Sequence, residues 1–76
     1  MTEADRGRLV AALAFTRRKG HHDLINRRGV LLFLRSWSKG WQADQLAALE
    51  PTDYCSLALE AALLLLRQRE QARGLA

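Results

Sequence analysis

From Tyr54 to Leu66 only Ser56 and Glu60 interrupt an apolar run, and the run follows the chain's single proline, Pro51. Placed on a helix at about 100° per residue, it has two apolar sides. Cys55, Leu59, Ala62, Leu63 and Leu66 share one face. Tyr54, Leu57, Ala58, Ala61, Leu64 and Leu65 fill most of the other. A helix that is apolar all round is normally buried all round. The chain has 76 residues. The few other helices such a chain can form are able to cover one of these faces and hardly both. The segment therefore predicts that a second chain, either another protein or a copy of this one, covers part of the outer face.

Size sharpens the point. A chain this short reads as one domain, over residues 1–76, and buries only about 60% of the surface its unfolded form exposes. Cys55 is the only cysteine, so no disulfide within the chain can supplement a small core. Association is a common remedy. The lone thiol and the start "MTEADRGRLV", which has no long apolar core beside it, lead to the expectation of a cytoplasmic setting. The longest apolar run, Ala61 to Leu66, falls far short of the ~20 residues of a spanning helix, so no membrane partner is expected.

Ala, Leu, Arg, Gln and Glu dominate, β-branched residues are few, and strands are not expected. The predicted fold is all-α: a small bundle of three to four short antiparallel helices, or helical hairpins. The first helix starts after Thr2, a good N-cap, with Glu3 and Asp5 where the helix dipole favours acids. It ends in "TRRKG", with Gly20 as the stop. The second runs from His22 or Asp23 through Trp37, with Gly40 beyond its end. Gly29 inside it costs roughly 1 kcal/mol against alanine, and close approach of another helix is the expected reason. The third covers about Gln42 to Leu49, and Pro51 opens the fourth, which runs to about Ala72. Links of two to four residues favour antiparallel neighbours.

Little here points to catalysis, and no enzyme is expected. His21 and His22 are adjacent, so on a helix they point about 100° apart and share no metal-binding face. Cys55 lies on a leucine-rich face, where a free cysteine behaves as a small hydrophobe. There is no glycine-rich phosphate loop, HExxH or GxSxG. No cofactor or metal is expected.

The charge is uneven. Met1 to Lys39 carries nine Lys/Arg and three Asp/Glu, net +6, and Gly40 to Ala76 carries three and five, net −2. This fits either an anionic partner for the first half or antiparallel self-pairing. Arg17, Arg18, Lys19, Arg27 and Arg28 flank one turn and could converge on phosphates, while Trp37, Lys39 and Trp41 could stack on bases. A helix-turn-helix within "QADQLAALEPTDYCSLALE" fails, because its reading helix would present Tyr54, Cys55, Leu57 and Leu59 rather than polar side chains.

"QLAALEPTDYCSLALEAALLLL" also resembles the junction of two tetratricopeptide-type helices: Ala and Leu before a proline, an aromatic after it, and small residues in the helix that follows. The spacing before Pro51 is shorter than in that family, and no tryptophan, glycine and tyrosine fall in register. The resemblance implies helical-hairpin packing, and proteins of the family are peptide- and protein-binding adaptors, small secretion chaperones among them.

The expectation is a small non-catalytic interaction protein: an adaptor, co-chaperone or regulatory subunit that binds a partner chain or itself. The residues expected to carry binding are Leu57, Leu59, Leu63, Leu64 and Leu66, with Trp37 and Trp41 as aromatic anchors. The alternative is a basic regulator that binds nucleic acid through Arg17, Arg18, Lys19, Arg27 and Arg28.

Overall fold

The computed structural model describes residues 1–75. Among the described residues it is all-α, with four helices and no strand: α1 (Glu3–Arg18), α2 (Arg27–Ser36), α3 (Gly40–Ala48) and α4 (Pro51–Leu75). None of these helices is long and apolar enough to cross a membrane.

Local chemistry sets most boundaries. Thr2 accepts a hydrogen bond from the Asp5 N–H and caps α1, with Glu3 and Asp5 in its first turn. Lys19 ends it, and Gly20 turns the chain away at φ +108°, a conformation that disfavours any Cβ. Pro51 opens α4, where its missing N–H has no helical partner to lose.

The start of α2 differs from the sequence expectation. Asp23 caps, but it caps a turn and not the helix. Its Oδ1 accepts from the backbone N–H groups of Ile25 and Asn26. Asn26 then caps again, accepting from the Gly29 N–H, and α2 begins at Arg27. The link between α1 and α2 is thus residues 19–26, longer than the two to four residues expected. Gly29 also has a different cause. A Cβ there would lie 3.0 Å from the His21 ring and 3.0 Å from the Asn26 amide nitrogen. Side chains of this long link, and not another helix, crowd the glycine.

The pairing of helices follows from their contacts. α2 and α3 are antiparallel neighbours: Arg35 pairs with Asp44 near one end, and Arg27 reaches the last carbonyls of α3 near the other. α1 and α4 run side by side in the same direction. Arg6 pairs with Glu60, Val10 and Ala11 lie beside Leu63 and Leu64, and Arg18 bonds Gln68, so residue numbers climb together on both. The link rule applies to consecutive helices, whereas α1 and α4 meet across the molecule.

The core lies where the helices meet. Leu9 and Leu13 of α1, Val30 and Leu34 of α2, Leu46 of α3 and Tyr54 of α4 are its largest fully buried apolar side chains. Gly7 of α1 is not part of it, and a Cβ there meets nothing within 4 Å. Gly7→Ala is therefore expected to stabilise the fold by about 1 kcal/mol through helix propensity alone, raising Tm by roughly 4–8 °C. A thermal melt followed by circular dichroism checks this; a lower Tm would mean that the position is crowded.

Candidate partner-binding face

The periodicity of α4 resolves into an inner and an outer face. Inward, Tyr54, Leu57, Ala58 and Ala61 are buried, and Leu64 and Leu65 pack half-buried against the core. Outward, Leu59 is 63% exposed, Leu63 44% and Leu66 51%, and the Cys55 thiol is also exposed. The inner face is tied down by more than packing. The Tyr54 hydroxyl donates to the Leu24 carbonyl, and the Arg27 guanidinium lies over the tyrosine ring with Cζ 4.7 Å from its centroid. Burial pushes the Tyr54 hydroxyl pKa up to about 12, with the charge of nearby Arg27 acting in the opposite direction. Rotation of α4 about its axis is blocked by this anchor, so the outer leucines are held facing away from the core.

Of the leucines singled out from the sequence, Leu59, Leu63 and Leu66 lie on the open face. Leu57, 3% exposed, belongs to the chain's own core, and Leu64 packs half-buried against that core, so neither is presented outward. The sequence defined both faces but could not tell which one α1 would cover. Trp37 and Trp41 are exposed but lie apart from this stripe, and no ring contact joins them to each other among the described residues. The Trp37 ring meets Phe15 edge-on at 5.4 Å and packs beside Phe33, and the Arg8 guanidinium lies over Trp41 at 5.6 Å.

The five basic residues do not converge. Arg27 turns inward, where its Nη1 donates to the Leu46, Ala47 and Leu49 carbonyls at 3.2, 3.4 and 2.9 Å. Lys19 turns to the aromatic cluster, its ammonium 5.3 Å from the Trp37 centroid, and Lys39 covers Phe15 at 4.8 Å. Arg28 is exposed on α2. Only Arg17 and Arg18 meet, and they do so against α4, in a shallow cleft shared with His22, Leu66 and Arg69. A link that folds back on itself, instead of a tight turn, separates the rest. Sequence reasoning missed Arg69 here. The signal was available, because Arg69 follows Leu66 by three residues and Ala62 by seven, on the same side of α4.

His21 sits against Gly29 and Phe33, its ring 5.8 Å from the phenyl centroid, and its Nε2 is buried without a hydrogen-bond partner. His22 is exposed. Among the described residues no group of three or more His, Cys, Asp or Glu side chains is placed to hold a metal ion. No family model, curated protein or solved structure matches this chain.

Proposed function

We propose that this protein is a small non-catalytic interaction module, an adaptor or regulatory subunit, that binds a partner chain through the outer face of α4. One observation carries the reading. Leu59, Leu63 and Leu66 stand outward on a helix whose opposite face is anchored in the core. Burying a leucine fully is worth roughly 1.5–3 kcal/mol, so three such side chains in one stripe favour a covering surface. A cytoplasmic setting fits the exposed free thiol of Cys55. The alternative, nucleic-acid binding by the basic first half, is weakened because Arg27 and Lys19 are engaged within the chain.

The two readings separate by salt. An apolar interface is little affected by ionic strength, whereas phosphate-led binding loses about 10³–10⁵ in affinity between 50 and 200 mM salt when six to ten contacts are made. The complex is expected to survive about 0.5 M salt and to be lost in the Leu59→Glu, Leu66→Glu double variant, whose substitutions lie outside the core. Analytical ultracentrifugation and pull-down across a salt series provide the measurement. Micromolar binding of duplex or single-stranded DNA or RNA at near-physiological salt, abolished by Arg17→Glu with Arg18→Glu, favours the nucleic-acid reading instead.

A further inference from the structure

The outer face of α4 has a spacing and a charge order that point to one occupant. Cys55, Leu59, Ala62 and Leu66 follow each other at intervals of four, three and four residues, the spacing of a two-helix seam. Charge along one flank of that seam is ordered. Asp23 sits beside Cys55, Leu59 and Ala62, Arg17 lines the groove along its whole length, and Arg18 and Arg69 gather further along, beside Leu66. Asp23, Arg17, Arg18 and Arg69 are all exposed. None of them joins the two ion pairs formed within the chain among the described residues, Arg6 with Glu60 and Arg35 with Asp44.

We propose that α4 pairs antiparallel with α4 of a second copy of this chain, Cys55 against the partner's Leu66 and Leu59 against the partner's Ala62. The proposal rests on the reading of α4 as the binding face and names what covers it. A two-fold axis perpendicular to the helices reverses direction and keeps each flank facing the same flank of the other copy. Asp23 of each copy then meets the arginines beside the partner's Leu66. A parallel pair loses that match, because it sets the arginine-rich ends side by side. The helix dipoles also oppose each other in the antiparallel arrangement. The seam spans twelve residues, a rise of about 16 Å over eleven steps, and is smaller than a standard interface, so the dimer is expected to be weak, in the micromolar range.

Cys55 makes the geometry testable. In this register the two Cys55 residues lie about 16 Å apart along the helix axes, far beyond disulfide reach, while Cys55 faces position 66 of the partner. The Leu66→Cys variant is expected to form a covalent dimer under mild oxidation about tenfold faster than wild type or the Leu66→Cys, Cys55→Ser control, because pairing raises the effective concentration of the two thiols. Both positions are exposed, and circular dichroism of each variant checks the fold. Wild type measured by sedimentation equilibrium between about 10 and 500 µM is expected to shift from monomer towards dimer. A strict monomer over that range overturns the proposal. So does a wild-type Cys55–Cys55 dimer that forms as fast as the cross-register one. If wild type is monomeric while Leu59→Glu with Leu66→Glu still abolishes a salt-resistant complex with another protein, self-pairing fails and the interaction-module reading stands.

Discussion

Tyr54→Ala is expected to remove a large part of the fold's stability, read as a much lower urea midpoint. The side chain is 2% exposed at the junction of α4 with the link that precedes α2, so its removal leaves a large cavity. Aromatic-to-alanine changes in cores cost about 3–5 kcal/mol. The whole fold of a chain this size is worth roughly 4–11 kcal/mol. Tyr54→Phe isolates the hydroxyl. It keeps the ring under Arg27 and leaves the Leu24 carbonyl without its donor, which should cost about 1–3 kcal/mol in urea unfolding.

The same group sets an alkaline limit. The Tyr54 pKa is raised from 10.0 to about 12 by burial, so the folded state holds its proton more tightly than the unfolded one. Stability from this group is complete below pH 10 and is lost as pH rises towards 12, by about 2–3 kcal/mol in all. Tyr54→Phe should remove that part of the alkaline loss. The chain has a single tyrosine, so phenolate absorbance reports on it alone. A midpoint near 10 in the folded protein contradicts the buried hydroxyl.

What could be read from the sequence depended on whether the cause was local. The Thr2 cap, the Pro51 start and the two faces of α4 follow from residues within one or two helical turns. The start of α2 was obscured because two good caps, Asp23 and Asn26, stand three residues apart and both are used. The spacing of α4 defined a leucine stripe, but only the parallel packing of α1 decides that Leu57 is inside and Leu59 outside. Arg27 and Arg28 look alike in sequence, and only the tertiary fold distinguishes them.

That distinction is large enough to measure. Arg27→Leu is expected to cost about 2–3 kcal/mol, and Arg28→Leu less than about 0.5 kcal/mol. The last carbonyls of a helix have no partner inside it and carry partial negative charge. The Arg27 guanidinium takes those of Leu46 and Ala47 with that of Leu49 beyond them, and it also covers the Tyr54 ring. A lysine ammonium can reach such carbonyls but cannot stack a planar fork on the ring, so Arg27→Lys should fall between the two. Exposed Arg28 has no such contacts. The difference also bears on function. A loss of nucleic-acid binding on mutating Arg27 would reflect a loosened α3–α4 junction, whereas the same loss at Arg17 or Arg18 would report on a surface. Urea unfolding of the three variants settles the point: equal midpoints for Arg27→Leu and Arg28→Leu would leave the end of α3 without the cap assigned to it here.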